Sequence, residues 1–178
     1  PLRIVIIGSG AAALSAVEAI RLRNQTCSIQ LISADPALPY FRPSLSDLLS
    51  ANLDDSELYL HSPEWYQEQK VELRLGKTVQ SIDADSSLVL LEDGEQIQYD
   101  RLILATGSRS NVLQLPGFNL PGVFTLRTLN DCQQIKESMK SARQAIVVGG
   151  GVLGLEAAWA FQEAGLEVTI LENGNRLL

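Results

Sequence analysis

This sequence predicts an α/β protein built on parallel sheet, and three features carry the prediction. Two glycine clusters, Gly8-Ser9-Gly10-Ala11-Ala12-Ala13 and Gly149-Gly150-Gly151-Val152-Leu153-Gly154, each follow a short apolar run and open a helical pattern. Each pattern then returns through a second apolar run, Ser28 to Ile32 in one case and Glu167 to Leu171 in the other. Strand, helix and strand in that order make a parallel crossover unit, and it occurs at both ends of the chain.

The second cluster is the more informative. Ala145 to Val148 reads as a buried strand and Val152 to Ala164 as a helix, which places the glycines at the turn between them. There Gly149 makes the tight turn, Gly151 lets a pyrophosphate approach the backbone, and Gly154 lets helix pack on strand. The helix N-terminus adds free N–H groups and a partial positive charge. Glu172, at the end of the next strand, stands where a partner for a ribose hydroxyl is expected. The first cluster is a G-x-G-x-x-A turn between a strand from Leu2 to Ile7 and a helix from Ala11 to Arg23. Its acid is less clear, because Ser33 occupies the natural position and Asp35 follows two residues later. Asp35 reaches the ribose, Ser33 does so more weakly, or Asp35 only opens a turn with Pro36. Two fingerprints in this context imply two bound dinucleotides.

Composition narrows the class. The chain has 178 residues, 46% of them hydrophobic and 20% charged, with a net charge of −7. An acidic balance argues against nucleic acid and favours neutral or cationic partners. No apolar run approaches the ~20 residues of a membrane span, and the sequence opens on a strand rather than a signal peptide. Cys27 and Cys132 fall in no C-x-x-C or metal-ligand spacing, so no metal site is expected and a reducing, cytoplasmic setting is the simplest inference.

Between the two units, Asp35 to Leu49 contains three prolines and two aromatics, which predicts a stiff irregular segment with a helical turn from about Ser44. Such a segment is either a wall for a planar ring or a surface loop with packing aromatics. Ser62 and Pro63 predict an N-cap and first helical residue, and His61, the only histidine, reads as a surface or capping residue. Glu72 to Leu75, Val79 to Ile82, Leu88 to Leu91 and Gln96 to Tyr99 read as strands of a small antiparallel layer, the last two joined around Asp93-Gly94. Leu102 to Gly107 reads as a buried strand ending in small residues, where a ligand can come close. Ser108 to Gly122 reads as a connecting segment and Leu129 to Ala142 as a helix. The organisation expected is a first domain over 1–112 and a second over 113–178. One crossover unit is short for a dinucleotide domain, so the second is expected to be incomplete and the chain an N-terminal fragment.

These motifs, with Tyr40-Phe41-Arg42-Pro43-Ser44-Leu45, Ser62-Pro63-Glu64-Trp65-Tyr66, Tyr99 to Ser108 and Thr125-Leu126-Arg127-Thr128-Leu129, resemble the pyridine nucleotide-disulfide oxidoreductase superfamily of two-dinucleotide flavoproteins. The nearest branches in pattern are the NADH-dependent rubredoxin and ferredoxin reductases and the flavin portion of nitrite reductases. The resemblance implies a Rossmann-like FAD-binding domain with a small antiparallel layer, followed by the start of a Rossmann-like NAD-binding domain. It implies that Gly8, Gly10 and Ala13 hold the FAD pyrophosphate, with Ala11 and Ala12 in the same turn, and that Ser33 or Asp35, flanking Ala34, holds its ribose. Val79 would lie near the adenine, and Ala105, Thr106 and Gly107 beneath the cofactor. Arg42, beside Pro43, and Arg127 would lie near the flavin. Gly149, Gly151, Val152, Leu153 and Gly154 would take NADH, with Glu172 disfavouring the 2′-phosphate of NADPH. Glu156 matches the family's glutamate between flavin and nicotinamide, which in relatives commonly pairs with a lysine.

Here Asp47 stands where that lysine is often found. Arg42 is the expected substitute as a bidentate partner for Glu156, which makes Arg42 and Glu156 the candidate catalytic pair. Alternatively Asp47 faces Glu156, and two carboxylates repel. Between Pro36 and Ser50 there is no cysteine, so electrons are expected to leave the flavin directly for rubredoxin, ferredoxin or a nitrite reductase module. The alternative is a non-catalytic nucleotide-binding or regulatory module that keeps the fold without active flavin. An oligomer, if formed, is expected through segments absent here.

Overall fold

The computed structural model describes residues 1–50 and 53–178, which divide into two compact units. Unit one comprises Pro1–Phe41 and Tyr59–Ser108, and unit two comprises Arg42–Leu58 and Arg109–Leu178.

Unit one is organised on a four-stranded parallel sheet. β1 (Arg3–Ile7) lies between β2 (Ser28–Ser33) and β7 (Arg101–Leu104), and β3 (Val71–Leu75) lies outside β2. The register runs from Ile4 opposite Ile29 and Arg101 to Ile7 opposite Ile32 and Leu104. Val5, Ile6, Ile29, Leu31 and Ile32 are all 0–1% exposed. Residues of both parities are buried because both faces are covered, which is why these strands read as unbroken apolar runs rather than alternating ones. On one face α1 (Ala11–Arg23) sets Ala13, Leu14 and Val17 against Ile4, Ile6, Ile29 and Leu31. On the other face β4 (Val79–Asp83), β5 (Leu88–Leu91) and β6 (Gln96–Gln98) form an antiparallel sheet. Val89, Leu91, Ile97 and Tyr99 pack there against Val5, Ile7 and Ile32.

Two expectations are corrected here. The strand expected at Glu72 to Leu75 does not belong to the antiparallel layer, because it pairs in parallel with β2, Ile29 opposite Val71. A strand of five residues carries no local mark of its partner's direction; α3 (Pro63–Glu68), which precedes it, supplies the crossover. The strand expected to be buried over Leu102 to Gly107 ends at Leu104, which is 62% exposed. It is an edge strand, hydrogen-bonded on one side only within the sheet.

Arg21 closes the far end of α1. It is 4% exposed, and its guanidinium donates to the carbonyls of Gln69, Lys70 and Asn24 and to Cys27 Sγ, so a buried cation is satisfied at a turn where Lys70 has φ +52°. At the start of the sheet, Asp100 accepts from the Arg3 backbone N–H at 2.7 Å and from its guanidinium at 2.7 and 3.2 Å. The Arg3 side chain, then its backbone, holds the Asp100 carboxyl at about 2. A carboxyl lowered on folding adds stability above its unfolded value of about 3.9 and loses it as pH falls towards the folded value. The difference in thermal midpoint between wild type and Asp100→Asn is therefore expected to be present at neutral pH and to vanish towards pH 2. A difference that stayed constant across that range would contradict this account.

Unit two carries β8 (Gln144–Val148) in parallel with β9 (Glu167–Leu171), joined through α5 (Val152–Glu163). It also holds a 3-10 turn at Arg42–Leu45, α2 (Asp47–Ser50) and α4 (Leu129–Met139). Thr128 accepts from Asp131 N–H while the Asp131 carboxylate accepts from Thr128 N–H, a closed capping box at the start of α4. The helix expected to run to Ala142 stops at Met139, where Lys140 and Ser141 N–H turn to the carbonyls three residues back.

Candidate functional site

Each glycine turn ends in a helix whose first donors have no side-chain cap. The N-cap residues of α1 and α5 are Gly10 and Gly151, both extended, and neither helix has an acid in its first turn. The contrast is α4, whose Thr128 and Asp131 occupy its N-terminal donors. A helix start without a side-chain cap and without an acid in its first turn suits a phosphate, because its N–H groups and its dipole end are left for an outside anion, although before α5 the neighbouring Gly150 N–H is already taken by the Glu172 carboxylate.

The glycines divide by what surrounds them. Gly8 has φ +120°, and a Cβ there would lie 2.0 Å from the Ala105 carbonyl oxygen. This close approach seats the first turn against the segment Ala105, Thr106 and Gly107 that follows β7, as Ala105 N–H donates to Ile7 O at 2.8 Å and Gly8 N–H to Ile32 O at 2.8 Å. Gly10 is different, since a Cβ there would meet nothing within 4 Å. Ala11 and Ala12 beside it are exposed, and Ala13 is fully buried against the sheet. The first turn thus offers an open cradle of backbone on a packed base. In unit two Gly149 takes the turn with φ +113°, and a Cβ on Gly154 would lie 2.0 Å from Gly149 O and 3.4 Å from Val147 Cγ1. Helix and strand meet at Gly154, while Gly151, Val152 and Leu153 are exposed.

The residues after β2 are tied to the first turn. Ser33 is 7% exposed and Ser9 4%, and their hydroxyls are 2.7 Å apart. Asp35 N–H donates to Ser33 Oγ, the Asp35 carboxylate accepts from Ala37 N–H at 3.1 Å, and Tyr40 O–H donates to it at 2.9 Å. Ala34 between them is exposed. Ser33 is therefore a buried brace, and Asp35 combines a turn with an aromatic partner. Tyr40 is 1% exposed, so in the stiff segment it serves as core rather than as an open wall. Val79 lies at the start of β4, half-buried against the second core. Beside it Lys77 pairs with Asp93 at 2.6 Å, and each holds the other in its charged form.

In unit two the Glu172 carboxylate turns back to the glycine turn. It accepts from Gly174 N–H at 2.7 Å and from Gly150 N–H at 2.6 Å, and those N–H groups, Gly174 first, hold its carboxyl below the ordinary range. Arg42 Nη1 donates to the carbonyl of Arg127 at 3.0 Å, bringing two of the expected flavin-side residues together, with Pro43 exposed next to them. The partner of Glu156 is one that sequence reading missed. Ser46 Oγ donates to Glu156 Oε2 at 2.8 Å, across 110 positions of sequence. A cavity of about 300 Å³ lined by Ser46, Asp47, Ser50, Leu155, Glu156, Trp159 and Ala160 brings Asp47 and Glu156 onto one surface. No local pattern announces a serine whose partner is so distant. His61, read as a surface residue, stacks on Trp65 at 3.9 Å and meets Glu18 at 2.8 Å. Among the described residues no group of three or more His, Cys, Asp or Glu could hold a metal ion, and no helix is long and apolar enough to cross a membrane.

Comparison with known proteins agrees with this geometry. The chain is 39% identical over 175 residues to the benzene 1,2-dioxygenase system ferredoxin–NAD(+) reductase subunit of Pseudomonas putida, covering 98% of this chain and 43% of that protein. It is 41% identical over 174 residues to rhodocoxin reductase of Rhodococcus erythropolis, covering 97% of this chain and 41% of that protein. Among solved structures, a ferredoxin reductase from Rhodopseudomonas palustris superposes with a TM-score of 0.93 at 33% identity, over 99% of this chain and 44% of that one. The chain thus spans less than half the length of these relatives. Residues 2–178 match the family described as pyridine nucleotide-disulphide oxidoreductase, and with two uncapped glycine turns on parallel strand–helix–strand units, the chain belongs to that family.

Proposed function

We propose that this chain is the nucleotide-binding part of an FAD-dependent NADH oxidoreductase that passes electrons to a small redox protein such as ferredoxin or rubredoxin, or to a nitrite reductase module. The observation that supports the reading is the pair of helix starts at Gly10 and Gly151, each following a glycine turn with neither a side-chain cap nor an acid in its first turn, whereas α4 is closed by a capping box and α3, also uncapped, carries Glu64 in its first turn. When bound, FAD and NADH supply hydride and electron transfer themselves. The protein's share is to bind, orient and set charge.

In this reading residues 1–112 form the first segment of the FAD domain and 113–178 the N-terminal part of the NAD domain. Gly8, Gly10, Ala11, Ala12 and Ala13 form the FAD pyrophosphate cradle. Asp35 is placed for the ribose and Ser33 braces it. Val79 stands at the adenine end, Ala105, Thr106 and Gly107 pass beneath, and Arg42, Pro43 and Arg127 lie on the flavin side. Gly149, Gly151, Val152, Leu153 and Gly154 receive the NADH pyrophosphate. Glu156 is the carboxylate between the two rings, and the cytoplasm is the proposed setting.

NADH is favoured over NADPH because the Glu172 carboxylate, already held to the glycine turn through Gly150 N–H, would repel a 2′-phosphate. Glu172→Ala is expected to weaken NADH binding and to narrow the preference for NADH by about tenfold, the effect of losing one charge-assisted contact. An unchanged NADH to NADPH ratio would refute the role of Glu172. The whole reading is tested by incubating the chain with FAD, desalting, and recording the visible spectrum, followed by anaerobic NADH. A yellow protein that bleaches supports a reductase. A full-length protein that binds FAD and is not reduced by NADH would leave only a nucleotide-binding module.

A further inference from the structure

The segment that carries Ser46 is held from beneath. Leu45, Leu48 and Leu49 are 1–4% exposed, and the Cys132 thiol on α4 donates to the Leu45 carbonyl at 3.7 Å. Burial pushes that thiol up to about 11, so it keeps its proton as a donor. At the other end of the turn, Arg42 is joined to the Arg127 carbonyl just before α4. Gln133 of α4 donates to Asp55 at 2.6 Å beyond the segment. Ser46 itself is 3% exposed, while the carboxylate it reaches lies on an exposed residue of α5. A buried, anchored hydroxyl thus holds the carboxylate of an exposed residue at 2.8 Å.

The character of the donor matters. A lysine or arginine partner would fix a carboxylate and also cancel its charge. A hydroxyl fixes it and leaves the charge uncancelled, and Asp47 in the same cavity adds a second negative group.

We infer that Ser46 is the positioning residue for Glu156, a neutral donor that sets the carboxylate's orientation toward the nicotinamide nucleotide while leaving its negative charge intact. The inference rests on the reading of residues 113–178 as the NADH-binding part. Ser46 touches no nucleotide itself; it acts through Glu156.

The test is a double-mutant cycle on NADH affinity, measured by calorimetry with this chain. Ser46→Ala, and Ser46→Cys as a near-isosteric variant of weak donor strength, are each expected to raise the NADH dissociation constant about 5- to 10-fold, as for one lost hydrogen bond. In a Glu156→Ala background the same changes are expected to have no effect, because the group Ser46 acts on is gone. A role for Ser46 confined to packing would persist in that background. Thermal unfolding of the same six proteins supplies a second readout, where Ser46 and Glu156 should again be coupled. Losses that multiply in the double variant, or a Ser46→Ala protein that binds like wild type, would overturn the assignment. A wild-type chain that binds no NADH would instead overturn the nucleotide reading, and the coupling in unfolding would then report on the contact alone.

Discussion

Gly8→Ala is expected to be the most damaging single methyl that unit one can receive. The new Cβ would stand 2.0 Å from the Ala105 carbonyl oxygen and 2.6 Å from its carbon, and both are backbone atoms that no side-chain rotation can clear. The residue would also have to hold φ +120°, a region L-residues rarely adopt. Strain of this kind costs about 1–3 kcal/mol and overpacking a similar amount, so a loss of about 3–5 kcal/mol is expected. That is a large fraction of the ~5–15 kcal/mol that keeps a domain folded. The damage falls where β1, β2 and the end of β7 meet, because Gly8 and Ala105 each hydrogen-bond into the sheet there. Denaturant unfolding of the variant beside wild type measures it. A midpoint within experimental error of wild type would mean that the close approach is not needed.

Two residues on, the opposite outcome is expected. A Cβ on Gly10 would meet nothing within 4 Å, and the residue is extended at φ −84° and ψ −177°, where valine is comfortable. Gly10→Val should therefore fold with a thermal midpoint close to wild type. Its isopropyl group would project into the space where the turn leaves the N-terminus of α1 open. Filling that space should weaken FAD binding about 100-fold, corresponding to an overpacking penalty of about 2–3 kcal/mol. Titration of flavin fluorescence, with unfolding measured on the same sample, separates the two effects. Wild-type affinity in Gly10→Val would place the pyrophosphate elsewhere. In the proposed reading Gly8 and Gly10 have opposite duties, one to admit protein and one to admit ligand.

Much of this was legible in the order of residues. Both crossover units were, because an apolar run, a glycine turn and a helical pattern are local features that need only a few neighbouring residues to be recognised. The helix starts were legible for the same reason, as was Gly154, whose lack of a side chain lets α5 approach β8. Glu172 was found by its distance from the glycines along the chain, and it turned out to touch them.

What tertiary structure alone decided was pairing between distant segments. The strand at Val71–Leu75 looks the same in sequence whether its neighbour runs parallel or antiparallel, and only its place beside β2 made it part of the parallel sheet. Leu104 looks like core and is exposed, because edge or centre is a property of the sheet and not of the strand. Ser33 gave no sign in sequence that its hydroxyl would meet Ser9, and Ser46 carried no sign of Glu156. The physical reason is common to all four. A short polar or apolar side chain states its preference for burial or hydrogen bonding, but the group that satisfies it is chosen by whichever segment the fold brings within about 3 Å.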